Sequence, residues 1–319
     1  MRKAFGALTI NNDTIWYDTS GNEIKCQGGS ILKVGSTYYW YGMELIGGST
    51  GQGNDAGVGA WNFQHCKVYS STDLKNWTFQ ANVLSPGAPT ELSSSDWVGR
   101  PNIFYNATTA KYVLITEWNN DNTRNKIAYL QSSSPTGPFT WVKTENTFDG
   151  YSIGDMGSYI ENGTAYLVIT YDKGGENATI GIGKLAADYL SMASVVYTKT
   201  SGGQEANGII KKGSTYYWFN SGTDWWFSTA TQYATSTNLA GPWTAFNKVS
   251  TNPASNNSFN TQHDFILPVT GSTTTSYIYC GDRYSNFHGQ GIGRNAWYPL
   301  TFDASGVPTI NGYQSWTID

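Results

Sequence analysis

Glu205 lies in Ser201-Gly-Gly-Gln-Glu-Ala-Asn-Gly208, a turn-rich run directly before the apolar pair Ile209–Ile210, so its carboxyl stands at the head of a predicted strand. Asp155 occupies the matching place in Gly154-Asp-Met-Gly-Ser-Tyr159, again just ahead of a strand. Uncharged, partly buried surroundings hold an acid toward its protonated form, which is what a general acid needs near neutral pH. One such proton donor, with a second group on the opposite face of a sugar, is the machinery of glycoside hydrolysis. The plainer alternatives are an exposed loop acid for Glu205 and a turn aspartate bonded to its own backbone for Asp155. Glu44 ends a predicted strand and reads either as a ligand for a sugar hydroxyl or as a charge on the rim.

Other chemistries find little support. His65, His263 and His288 are far apart and no HExxH or CxxC pattern occurs, which argues against a catalytic zinc. Gly47-Gly-Ser-Thr-Gly51 matches GxSxG, but within a Gly-rich loop rather than at a strand-to-helix elbow. No P-loop or dinucleotide fingerprint follows a predicted strand. Charged residues make up 13% of the chain and the net charge is -4, so a nucleic-acid or anionic-membrane partner is not expected. Aromatic residues reach 15%, with 13 Trp and 22 Tyr. Aromatic faces beside neutral hydrogen-bonding groups suit sugars, although most of these rings are expected to fill sheet cores.

The elements that must carry the acids announce themselves by repetition. Lys33-Val-Gly-Ser-Thr-Tyr-Tyr-Trp-Tyr41 and Lys211-Lys-Gly-Ser-Thr-Tyr-Tyr-Trp-Phe219 nearly coincide, each a strand end, a Gly-Ser turn and a strand of aromatic and β-branched residues. A second echo joins Ser70–Trp77, Ser132–Phe139 and Thr235–Trp243, which share a third-to-fourth-strand hairpin layout. Five β-rich modules follow, with no useful helical periodicity, and the expected fold is an all-β, five-bladed β-propeller in which residues 1–319 form a single domain. The last module is read as ending in a strand at Gly312–Trp316. In a propeller the first strand of each blade lines a central channel, so Glu205 and Asp155 should point into one pit. The Gly/Asn-rich stretch Leu45–Trp61 reads as a rim over that pit. Cys26, Cys66 and Cys280 read as buried free thiols, with a Cys26–Cys66 bridge as the alternative.

The module layout, Asp155-Met before the third module and Glu205-Ala-x-Gly-Ile-Ile-Lys resemble glycoside hydrolase family 43, and its exo-β-1,3-galactanase branch in particular. Thr261-Gln-His-Asp-Phe-Ile-Leu-Pro268, Tyr277-Ile-Tyr-Cys-Gly-Asp-Arg-Tyr284 and Trp297-Tyr-Pro-Leu300 are similar to further runs of that branch, so the likeness spans about residues 16–316. The resemblance implies an inverting hydrolysis with Glu205 as general acid, Asp155 as the group that tunes and orients it, and Gln262 holding the attacking water. Most of the family carries an Asp base at the head of the first blade; here the run is Gly28-Gly-Ser-Ile31, as the galactanase branch also lacks that base. A departure is Val98-Gly99-Arg100-Pro101, where the branch usually has Glu-Arg-Pro. Either another acid such as Glu44 or Glu117 reaches into that corner, or the substrate differs, or activity on the usual sugar is lost.

The expected substrate-binding set is therefore Glu44, Arg100, Glu117, Trp118, Trp225, Trp226, Asp282 and Arg283, the tryptophans forming a sugar platform. The expected activity is removal of galactose units from β-1,3-galactan. Alternatives are an arabinofuranosidase, xylosidase or galactofuranosidase on the same scaffold, or a carbohydrate-binding propeller that has lost catalysis. No cofactor is expected to be required, and a structural calcium is compatible with the sequence. The partner is a polysaccharide or oligosaccharide, the chain is expected to be monomeric, and the setting secreted or extracellular; the apolar run near Met1 is too short for a signal-peptide core.

Overall fold

A computed structural model describes residues 8–45, 63–120, 125–175, 178–200, 202–224, 227–254, 257–271, 274–284 and 293–318. Every regular element among them is a strand. Five blades are present, antiparallel except where Ser250–Asn252 runs parallel to its neighbour at the edge of the fifth, with inner strands Gln27–Val34, Trp97–Asn106, Ile153–Glu161, Gln204–Lys212 and Gln262–Thr270. Each inner strand contacts those of the blades before and after it, and the fifth returns to the first, so the five ring a common axis. The two near-identical runs fall in blades one and four. Val34 pairs with Thr37 and Lys212 with Thr215 across Gly-Ser turns whose glycines sit at φ +60 and +62.

Both faces of each blade are covered by neighbours, so second strands read as continuous apolar runs rather than alternating ones. Val113, Leu114 and Ile115 are all fully buried. The cores lie between blades. Phe104, Ile115 and Tyr129 meet Phe148, Leu167 and Tyr171 between blades two and three; Val168 and Ile182 meet Trp218 and Trp243 between blades three and four. Each fully buried large side chain contributes about 1.5–3 kcal/mol. The ring closes between blades five and one around Trp40, Trp77 and Trp297. There Leu8–Asn11 pairs with Ser315–Ile318, and Asn12 Oδ1 and Nδ2 bond the Trp297 backbone at 2.9 and 2.7 Å.

That terminal pair corrects one expectation. Gly312–Trp316 is not the fourth strand of blade five: Pro308–Asn311 takes that place, with Ser250–Asn252 outside it, and the chain then turns so that Ser315–Ile318 meets the N-terminal strand. Blade three also has a fourth strand, Met192–Thr200, that the pattern does not reveal, because most of its residues are exposed or half-buried. All three cysteines are free and buried.

One feature recurs in every blade. The register of the inner strand against its neighbour slips just past its head, between Gln27 and Ser30, Gly99 and Asn102, Ile153 and Met156, Glu205 and Gly208, and His263 and Phe265. A bulge inserts residues on one strand only and re-aims the side chains beside it. Below the bulges the blades pack closely enough to exclude a methyl group: a Cβ on Gly157 would run into the Asn207 carbonyl of the next blade. Gly157→Ala is therefore expected to destabilise the ring by about 1–3 kcal/mol or more, seen as a lowered midpoint in chemical denaturation; an unchanged midpoint would contradict this packing.

Candidate active site

The five bulged strand heads aim at one cluster. Arg100, 5% exposed and at φ +43, is its centre. Its Nη2 donates to Asp155 Oδ2 at 2.8 Å and to Gln262 Oε1 at 3.0 Å, and its Nη1 to Asp264 Oδ1 at 3.3 Å. Gln262 Nε2 in turn donates to Glu205 Oε1 at 2.7 Å. A guanidinium only donates, so it fixes which end of the Gln262 amide faces Glu205. Blades two, three, four and five thus each contribute a side chain to one network.

Glu205 is set by its successor. Ala206, at φ +54, gives its N–H to Asp155 Oδ2 at 3.1 Å, while its carbonyl accepts from Nδ1 of the buried His263 at 2.6 Å. Burial pushes His263 down to about 4, so the ring is neutral and serves as an anchor. Burial, and then the charge of Asp155, push Glu205 up to about 8, against the opposing pull of Arg100 and the Gln262 hydrogen bond. The carboxyl carries its proton at neutral pH.

Gly99 and Glu117 resolve the departure noted in the sequence. They are opposite one another across the strand pair. A Cβ on Gly99 would lie 2.8 Å from Glu117 Oε2 and 2.9 Å from Trp97 Nε1. Glu117, the cross-strand partner, places its carboxyl in that corner. Glu117 is 2% exposed; its Oε1 accepts from Met156 N at 3.2 Å and its Oε2 from Asn125 Nδ2 at 3.1 Å. Expected as a substrate ligand, it instead braces the backbone beside Asp155. Burial and the charge of Asp155 raise its pKa well above the usual carboxylate range.

Several expected ligands stand elsewhere. Glu44 pairs with Lys25 at 2.9 Å and Lys67 at 2.8 Å, so it is spent on two lysines rather than the cluster. Arg283 follows Asp282 in the chain and turns away, with Nη1 2.6 Å from Asp13 Oδ1 and Nη2 on the Phe259 carbonyl and Tyr298 Oη. Trp118 sits edge-on to Trp141, under Lys126, with Nε1 on Asp96 Oδ2 at 2.9 Å, packed between blades one and two instead of forming a platform. Asp282 does join the cluster's floor but is 1% exposed, accepting from Gly28 N at 2.7 Å and Asn295 Nδ2 at 2.8 Å. Trp225, Trp226 and the stretch from 46 to 61 lie outside the described residues.

Asp264 and Tyr284 were not singled out by the sequence reading. Asp264 is 7% exposed and accepts from Gly29 N at 3.1 Å. Its position two residues after Gln262 on the same strand was the available signal. Among the described residues no group of three or more His, Cys, Asp and Glu side chains is placed to hold a metal ion, so no step is assigned to calcium.

A proton-loaded carboxyl, an amide beside it and a cation ordering both, at the head of a five-bladed ring, define a glycoside-hydrolase type of site. The chain belongs to the glycosyl hydrolases family 43, whose family model matches residues 25–308. It is similar to an exo-β-1,3-galactanase from Phanerochaete chrysosporium solved with galactose, with 30% identity and a TM-score of 0.83 over 98% of this chain and 69% of that one. A variant of the same enzyme has been solved with β-1,3-galactotriose. An exo-β-1,3-galactanase from Clostridium thermocellum shows 29% identity and a TM-score of 0.83, over 98% of this chain and 67% of that one. No curated protein sequence matches significantly.

Proposed function

We propose that this family 43 hydrolase is an inverting, exo-acting enzyme that releases galactose from β-1,3-linked galactan. The observation that carries the reading is the Glu205 carboxyl bonded to Gln262 at 2.7 Å, where burial and the charge of Asp155 favour its protonated form. The galactanases named above support the choice of sugar and linkage. Glu205 protonates the glycosidic oxygen. Asp155 keeps the proton on Glu205 until it is needed and holds the adjacent Ala206 peptide. Gln262, locked by Arg100, orients the attacking water.

Glu205 and Gln262 touch, whereas inverting acid and base groups stand roughly 6.5–9.5 Å apart to admit sugar and water. Substrate must therefore break this hydrogen bond, and the sugar takes over the two freed groups. We read residues 1–319 as one catalytic unit acting as a monomer outside the cell on polysaccharide. A different terminal sugar is the second reading, favoured by the rebuilt corner at Gly99 and Glu117.

Incubation with β-1,3-galactan, followed by NMR of the first product, is expected to show α-galactose. Oligomers of mixed length, or β-galactose, would refute exo cleavage or inversion respectively. Because Glu205 must be protonated, kcat/KM is expected to fall about tenfold per pH unit above its pKa of about 8. A rate that rises through that range would rule Glu205 out as the acid.

A further inference from the structure

Hydrolysis leaves a proton to be placed: the one lost by the attacking water. Gln262 is a poor recipient. An amide has negligible proton affinity in water, and here its only basic atom, Oε1, already faces the Arg100 guanidinium at 3.0 Å. The carboxylates around Arg100 differ in what they hold. Asp155 and Asp264 are bonded to the guanidinium itself. Asp282 is not; besides Gly28 N and Asn295, it is bonded by Asp264 and by Tyr284 Oη, the last at 3.2 Å from Oδ2.

Tyr284 brings a hydroxyl to the same place. It is 2% exposed, with its ring against Met43, Leu45 and Trp97. A side chain on Gly28 would overlap Tyr284 Oη, and its Cβ would lie 3.7 Å from Arg100 Cδ, so the phenol oxygen fills the volume left open at residue 28, beside Arg100. Across the strand pair, Asp282 lies directly opposite Gln262. Asp282 and Gln262 are therefore cross-strand neighbours, and Tyr284 Oη is hydrogen-bonded to that same Asp282.

We propose that Tyr284 is a catalytic residue that takes the proton of the attacking water, with Asp282 behind it as the positioning residue that receives the phenol's own proton. The water oxygen bonds to the anomeric carbon as its O–H breaks. That proton passes to Tyr284 Oη while the phenolic proton passes to Asp282 Oδ2. The glycosidic C–O bond breaks as Glu205 protonates the leaving oxygen. Asp282 ends one proton richer and Glu205 one poorer, and exchange with solvent restores both. This relay rests on the hydrolytic reading above, but not on which sugar is cleaved.

Asp282 must be ionised to receive the proton, so it sets an acid limb in kcat/KM. The titratable and charged groups that face it are Arg100, Asp264, Tyr284 and the buried thiols of Cys26 and Cys280. Burial raises its pKa and Arg100 opposes the rise.

The test is Tyr284→Phe, which keeps the ring and removes only the hydroxyl. Wild type and variant are compared on β-1,3-galactobiose and on aryl β-galactoside, β-xyloside and α-arabinofuranoside. On the glycoside that the wild type cleaves fastest, kcat is expected to fall about 100-fold with KM within about twofold, and the acid limb to vanish. A kcat within about threefold of wild type with the acid limb intact overturns the relay. If the Phe variant melts early, Tyr284→Ala with added azide decides: restored turnover giving the inverted glycosyl azide supports the relay, and none overturns it. Wild-type turnover of another glycoside but not of galactobiose defeats the galactan reading alone, whereas no turnover of any of them defeats both.

Discussion

Glu205→Gln is expected to lower kcat/KM on β-1,3-galactobiose by about a thousandfold or more, while an aryl glycoside with a highly acidic phenol loses far less. The difference follows from the leaving group: a sugar alkoxide cannot depart unprotonated, whereas an acidic phenol needs no proton. General acid catalysis supplies about 10²–10⁴-fold, and a thousandfold change corresponds to about 4 kcal/mol of barrier. The substitution preserves a carbonyl oxygen to accept the Gln262 hydrogen bond, so the network around Arg100 stays closed. Thermal melting within a few degrees of wild type separates loss of the proton from loss of the fold. Equal losses on both substrates would mean that Glu205 only holds structure.

Arg100→Met is expected to be the most damaging single change to stability. One buried guanidinium bonds Asp155 and Asp264 and lies beside Asp282. Removing one partner of a buried ion pair costs about 3–5 kcal/mol, because the remaining charge is stranded away from water. The sign of the pH dependence follows. Burial already favours the protonated forms of Asp264 and Asp282 in the folded state, and losing the cation that opposes it favours them further. The deficit against wild type is then largest above neutrality and shrinks as pH falls toward the ordinary carboxyl range and the acids become neutral. Denaturant titrations at pH 5 and pH 8 measure it; a deficit independent of pH would show that packing, not charge, is what Arg100 supplies. Arg100→Lys keeps the charge but cannot reach Asp155, Gln262 and Asp264 together, so an intermediate loss is expected.

Much of the ring was legible because its signals are local. The Lys33 and Lys211 runs repeat a turn and the strand that follows it, and Trp40 and Trp218 fill equivalent, fully buried positions. Met192–Thr200 escaped because an outer strand with water on much of its surface carries no apolar period. Glu205 and Asp155 were readable from their place at strand heads, and Gln262 from the likeness of its run to the galactanase branch. The side-chain destinations of Arg283, Glu44 and Trp118 were not. They depend on cross-strand partners and on the parity of each strand after a bulge, neither of which spacing along the chain reveals. Glu117 is the instructive middle case. Its type suggested a substitute for the acid absent at 99, but only the pairing of Gly99 with Glu117 shows how one strand covers for the other.

The five register slips at the strand heads carry an evolutionary consequence. Below each slip the ladder holds the inner strand to the second strand of its own blade; above it, the strand head pairs on a shifted register. Chemistry and scaffold are thereby uncoupled within a single strand. Short segments at the strand heads that leave Arg100 in place are natural units of exchange between related enzymes. Transplanting them should carry substrate preference across while leaving the host ring's melting behaviour almost untouched, so new specificities become reachable by small steps.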